Sequence, residues 1–213
     1  MKIVAGEGPL GARILDIDLA RPLADADYRA IEAALGRHGV VSFPKQALEA
    51  RHLKAFAERF GTLEVNVANM YFEPGLPEVM ILSNMVENGK PVGLSDAGQD
   101  WHTDMSYSRT IAFSNVLYGI RIPMRDGKSL GNTEFCNMHA AYDDLPQALK
   151  DELDGMTITH DFNKFWEMMR REKGSTRPPL TEEQKRRKPP VSHPVFLTHP
   201  ITGRKVLYAN PGY

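Results

Sequence analysis

The spacing of apolar and polar positions changes period along this chain, and each change marks an element. Over residues 15–19, aliphatic side chains alternate with acidic ones, the period of two of a half-buried strand. Residues 1–5 predict another short strand. Between the two lies Gly6-Glu7-Gly8-Pro9-Leu10-Gly11, a spacing that also occurs in dinucleotide-binding loops. Such a loop must open a helix, whose N-terminal N–H groups then face a pyrophosphate. A strand pattern follows here, so the glycines predict a turn between strands.

Tyr28, Ile31, Ala34 and Leu35 fall on one face of a helix over residues 25–38, with Asp25 as N-cap and Gly39 as its stop. Residues 40–43 predict a short strand. Residues 48–60 predict a second amphipathic helix, with Leu53, Phe56, Ala57 and Phe60 inward. His38 and His52 sit on these helices as solvated or capping groups. Residues 65–77 are irregular and carry Asn66, Asn69, Tyr71 and Phe72; 78–83 predict a strand and 84–98 a Gly/Asn/Asp-rich loop. Residues 113–122 and 133–137 predict strands around a turn-rich excursion. Residues 138–153 are helical with an interruption at Pro146, and Asp143-Asp144 cap the second part. Strands are expected at 155–160 and 193–199, helices at 163–172 and 181–187, and a hairpin where 205–209 returns past 200–204. The run 170–188 is strongly basic: a solvated charged excursion, or else an anion-binding patch. Many short strands and two early helices predict a sheet sandwich or barrel with helices outside.

The chain has 213 residues, 42% hydrophobic and 25% charged, so a packed core is expected. A net charge of −1 makes no general case for nucleic acid or an anionic membrane as partner. The single cysteine, Cys136, leaves no internal disulfide, fits a reducing compartment and is expected to be a small buried hydrophobe. No basic-then-apolar leader and no membrane-length apolar run stands out, so a soluble cytoplasmic protein is the expectation.

One stretch carries chemistry. In Trp101-His102-Thr103-Asp104, an extended backbone would turn His102 and Asp104 to the same side. An imidazole beside a carboxylate gives two corners of a 2-His-1-carboxylate facial site, which leaves positions open on iron(II). The triplet alone is equally a strand end with a solvated histidine and a turn-capping aspartate.

Its context resembles the taurine dioxygenase family, which includes 2,4-dichlorophenoxyacetate dioxygenase. Trp101-His102-Thr103-Asp104-Met105-Ser106-Tyr107 resembles the family's metal motif. Gly11-Ala12-Arg13 through Asp16-Ile17-Asp18-Leu19, His38-Gly39-Val40-Val41-Ser42-Phe43, Phe60-Gly61-Thr62-Leu63-Glu64 and Asn137-Met138-His139-Ala140-Ala141-Tyr142 match in order. So do His193-Pro194 through Thr198-His199-Pro200 and Gly203-Arg204-Lys205-Val206-Leu207-Tyr208. The resemblance implies an α+β, mainly β domain over residues 1–213, a double-stranded β-helix (jelly roll) with flanking helices. It implies iron(II), 2-oxoglutarate and O2, and oxidation of a small organic acid with succinate and carbon dioxide as co-products. His102 and Asp104 would be metal ligands, and Thr133 would bond the 2-oxoglutarate carboxylate. Phe162 and Tyr213 match pocket aromatics, as readily core as substrate contacts.

The match departs from the pattern in places. Leu130-Gly131-Asn132 stands where Gly-Gly-Asp usually precedes the threonine. Gly98 stands where taurine dioxygenase has an asparagine, and no histidine lies between His52 and His102, which disfavours taurine as substrate. The family's distal metal histidine and its 2-oxoglutarate-binding arginine lie beyond the segment matching residues 210–213. The expectation is therefore a domain shortened at its C-terminal side, prone to self-association. The alternative is a remnant that binds a small acid or a partner chain without turnover.

Overall fold

The computed structural model describes residues 1–213 apart from Asn69, Gln99 and Pro211, so the expectation for Asn69 lies outside the described residues. Along the chain, β1 (Lys2–Ala5) and β2 (Ala12–Leu15) pair antiparallel, joined by the glycine turn, in which the Gly6 N–H donates to the Gly11 carbonyl at 2.9 Å. The turn expected from the sequence is therefore the one formed. Strand β2 ends at Leu15 rather than Leu19, because Asp16 takes a positive φ of 56° and turns the chain.

Helix α1 (Asp25–His38) buries Ile31, Ala34 and Gly36, and Gly39 stops it at φ 68°. Ala24, not Asp25, occupies the N-cap, with no side-chain cap bond; Asp25 instead pairs with Arg59 at 2.7 Å. Strand β3 (Val41–Ser42) then runs parallel to β2, making a three-stranded sheet in the order β1-β2-β3. Helix α2 (Ala50–Ala57) buries only Phe56 of the four expected inward residues, and His52 closes its capping box with Glu49. A single helical turn, Glu58–Phe60, follows.

Next come three small ladders: β4 (Phe72–Glu73) with β5 (Leu76–Met80), β6 (Val86–Glu87) with β7 (Lys90–Pro91), and β8 (Met124–Arg125) with β9 (Lys128–Ser129). The loop expected at 84–98 thus contains a hairpin. The strands expected at 113–122 and 133–137 do not form. Alternation reports which way side chains point, whereas a strand exists only when its N–H and C=O groups meet a neighbour's. Among the described residues no strand pairs with either segment, and Leu117, Ile120 and Ile122 are exposed at 60, 87 and 54%. Cys136 is also exposed rather than buried.

Helices α3 (Met138–Asp143) and α4 (Gln147–Leu153) flank Pro146, as expected. Asn137 caps α3 by accepting from the His139 and Ala140 N–H groups; α4 starts at Pro146 without a side-chain cap, and Asp144 closes α3 instead. Strand β10 (Thr157–His160) leads to α5 (Phe162–Glu172), which Asp161 caps, and then to α6 (Glu182–Arg187), where Thr181 and Gln184 form a capping box. The segment expected to be one strand at 193–199 is two. β11 (Val191–Pro194) pairs with β10, and β12 (Phe196–Thr198) pairs with β13 (Lys205–Leu207), the expected hairpin.

The chain divides into two compact units. One holds Met1–Arg59, Val116–Asp154 and Phe196–Leu207, the other Phe60–Asn115, Gly155–Val195 and Tyr208–Tyr213. The first is built on Ala12, Ile14, Leu19, Ile31, Ala34 and Phe56. Its helix α3 lies on β13, with the Tyr142 ring edge-on to Phe196 at 4.9 Å. The second unit is built on Val67, Ala68, Tyr107, Phe162, Trp166 and Leu180. No helix among the described residues is long and apolar enough to cross a membrane.

Candidate metal centre

The residues from Asp100 to Ser108 lie in the second unit as bends and turns, not as a strand. Met105 takes φ 59°, and the Ser108 N–H donates to the Met105 carbonyl at 2.9 Å. His102 and Asp104 nonetheless meet: His102 Nε2 lies 3.0 Å from Asp104 Oδ1. The shared side expected from an extended backbone is thus reached through a turn. Both groups are fixed from behind. His102 Nδ1 lies 2.6 Å from the Asp100 carbonyl, which fixes that nitrogen as the protonated one and aims Nε2 at Asp104. Asn115 Nδ2 donates to the other Asp104 oxygen.

The hydrogen bond to Asp104 raises His102 to about 9, against the opposing effect of partial burial and with further help from the Asp100 carbonyl. The same bond lowers Asp104, again against burial, and Asn115 adds to it. At neutral pH the pair is an imidazolium beside a carboxylate, so a metal ion must displace the shared proton to use both groups.

The last residues of the chain pack on this turn. Asn210 donates to Ser106 Oγ at 3.2 Å, and Ser106 is fully buried. A Cβ on Gly212 would come within 3.1 Å of His102 Cβ. Tyr213 lies 4.8 Å from the Tyr107 ring, 4.5 Å from Phe165 and 6.4 Å from His102, centroid to centroid. Burial raises both phenols, Tyr213 and Tyr107, above their ordinary range. Phe162 is 3% exposed and sits 4.5 Å from Tyr107 as part of the core cluster. Of the two expected pocket aromatics, Tyr213 therefore borders the His102–Asp104 turn and Phe162 lies one ring deeper. Thr133 is exposed, in irregular backbone of the other unit.

Asn115 and Asn210 were not singled out from sequence. Asn115 carried a usable signal: a polar residue on the apolar face of the alternating run Phe113, Asn115, Leu117. Asn210 carried none, because its partner is 104 residues away.

The family description "Taurine catabolism dioxygenase TauD, TfdA family" matches residues 4–213. The chain belongs to this family. Among its TauD/TfdA relatives, the α-ketoglutarate-dependent 2,4-dichlorophenoxyacetate dioxygenase of Cupriavidus pinatubonensis is 34% identical over 208 residues, 92% of this chain and 69% of that protein. The α-ketoglutarate-dependent sulfate ester dioxygenase of Pseudomonas putida is 28% identical, over 94% of this chain and 63% of its own length. A crystal structure of AAD-2 in complex with Mn(II) and N-oxalylglycine superposes with a TM-score of 0.65 at 25% identity, covering 98% of this chain and 69% of that one. A taurine dioxygenase from Burkholderia xenovorans gives 0.66 at 26% identity, covering 99% and 63%. The chain thus spans about two thirds of the length of the relatives it matches.

A TauD/TfdA dioxygenase implies a metal ion, and the His102–Asp104 pair can be tested for it. Two donors on adjacent corners of an octahedron at about 2.1 Å from its centre lie about 3.0 Å apart. The Nε2–Oδ1 separation of 3.0 Å is compatible with that edge and is equally the length of the hydrogen bond the pair makes here. Among the described residues no third His, Cys, Asp or Glu joins them. The pair fits as two protein donors, not as a complete triad.

Proposed function

We propose that this chain serves an iron(II)- and 2-oxoglutarate-dependent dioxygenase reaction on a small organic acid, with His102 and Asp104 as metal ligands. The meeting of His102 with Asp104 within the segment that resembles the family's metal motif, each side chain braced from behind, is the observation that carries the reading. When bound, the metal with 2-oxoglutarate and O2 supplies the oxidation, releasing succinate and carbon dioxide. The chain's own residues do the positioning. The Asp100 carbonyl sets the His102 tautomer, Asn115 orients Asp104, and the buried Tyr107 with Tyr213 provides a water-poor aromatic wall beside His102. Thr133 is proposed to meet the 2-oxoglutarate carboxylate, and the mixed helices and short strands to belong to a jelly-roll framework. Relatives named for 2,4-dichlorophenoxyacetate and for sulfate esters support an acidic small-molecule substrate.

The second reading, acid or partner binding without turnover, is favoured by one observation, the absence of a third donor among the described residues. Anaerobic addition of iron(II) and then 2-oxoglutarate separates the two. The dioxygenase reading expects a visible charge-transfer band that His102→Ala removes. No band, with metal affinity indifferent to His102→Ala, would leave only the non-turnover reading.

A further inference from the structure

A cleft of about 340 Å³ opens in the second unit, with neither His102 nor Asp104 in its lining, and its charges are unbalanced. Three cations line it, Arg109, Arg187 and Lys188, against one carboxylate, Glu64. Lys188 is already committed. Its Nζ pairs with Glu64 and donates to Ser108 Oγ at 2.9 Å, and Ser108 Oγ in turn donates to Glu64 at 2.9 Å. This closed triangle, whose Lys188 Nζ lies 5.6 Å from the centre of the Tyr107 ring, makes a neutral, ordered floor. Arg109 and Arg187 have no such partner among the described residues: both are exposed, and neither carries an ion pair or a side-chain hydrogen bond. Arg187 ends α6, where a cation complements the helix C-terminus. That does not account for Arg109, which reaches the same cleft from the turn after the metal motif. The remaining lining includes apolar Pro189 and Val191 beside the Tyr107 ring.

We propose that this cleft is an oxyanion-binding site, in which Arg109 and Arg187 clasp a carboxylate, sulfonate or phosphate while Val191 and Pro189 receive any apolar body attached to it. Guanidinium groups suit this task because each presents paired N–H donors to two oxygens of one anion. The whole chain has a net charge of −1, so attraction of an anion here is a local property of the cleft, not of the overall charge. The site stands on its own residues and does not require the dioxygenase reading.

The test uses metal-free protein without 2-oxoglutarate, at constant ionic strength, titrated with inorganic phosphate, benzoate and uncharged benzyl alcohol, followed by calorimetry and 15N chemical shifts. Saturable binding of benzoate or phosphate but not benzyl alcohol is expected. It should weaken about tenfold or more in the Arg109→Gln/Arg187→Gln double variant, with each single variant intermediate. Arg186→Gln, next in sequence but outside the cleft, should bind like the parent. Tighter binding of benzoate assigns the site to organic acids; tighter binding of phosphate assigns it to the inorganic ion. No saturable binding, the same affinity in the double variant, or an equal loss in Arg186→Gln overturns the proposal.

Discussion

His102 shows how little of a side chain's role resides in its own chemistry. Its Nε2 is presented to Asp104 because the Asp100 carbonyl holds Nδ1. Asn115 does the same for the carboxylate, so, with Asp104 the proposed metal ligand, Asn115→Ala should lower Mn(II) affinity roughly 10–100-fold, the usual range for a group one step behind a ligand, measured by EPR of the free ion. His102→Ala should lower it further. A second residue-scale prediction concerns Arg177, whose side chain is 4% exposed, pairs with Asp96 at 2.6 Å and lies 4.6 Å over the Trp166 ring. Asp96→Ala leaves that guanidinium buried without its counter-charge and should cost about 3–5 kcal/mol in urea unfolding. Lys173→Ala, which breaks a solvent-exposed pair with Asp100, should cost under about 1 kcal/mol. Similar losses for the two variants would refute the assignment of the Asp96 pair as buried.

Elements were legible where they close on themselves. Helix α1 could be read from spacing because its hydrogen bonds are internal and its stop is a glycine at positive φ. The sequence could not say that Gly36 of α1 is a contact point. A Cβ there would fall 2.6–2.9 Å from three atoms of Ile201, which lies in the turn between β12 and β13. Gly36→Ala should therefore destabilise by about 1–3 kcal/mol despite alanine's better helix propensity. Ile201→Ala should recover much of that loss in the double variant, and additive losses in the cycle would show that the two sites do not touch. The strand patterns at 113–122 and 133–137 misled for the opposite reason: a strand's bonds lie in another segment, and among the described residues none pairs with these two.

At the scale of the molecule, buried imidazoles couple the fold to pH. His160 is fully buried in the second unit with neither ring nitrogen hydrogen-bonded among the described residues, its ring 5.7 Å from His193 and 5.8 Å from Tyr208. Desolvation lowers its pKa, and the neighbouring His193 lowers it further. The unfolded chain therefore takes up a proton near pH 6.5 that the folded chain refuses, so stability is full above that pH and falls as the pH drops below it. His199 in the other unit, also lowered by burial, adds to the same trend. The slope is at most about 1.4 kcal/mol per pH unit for each proton. His160→Phe should flatten the urea-midpoint profile below about pH 6.5, leaving the part due to His199; an unchanged profile would rule His160 out as its source. The exposed Leu117, Ile120, Ile122, Met124 and Phe135 predict concentration-dependent association. Sedimentation should show it, and Ile120→Lys with Ile122→Lys should reduce it; a strictly monomeric parent would count against it.

What the sequence determined by itself was local or cumulative: the glycine turn, the helices with their stops, the β12–β13 hairpin, and an H-x-D motif whose chain-wide company pointed to one family. Only the tertiary structure decided which groups meet across distance. It brought Asn115 to Asp104, Asn210 to Ser106 and Arg177 to Asp96, contacts 11, 104 and 81 residues apart in sequence. It also left Cys136 in solvent and set Arg109 and Arg187 on one cleft. Periodicity records the environment a side chain prefers; the identity of its neighbour is fixed only when the chain folds back on itself.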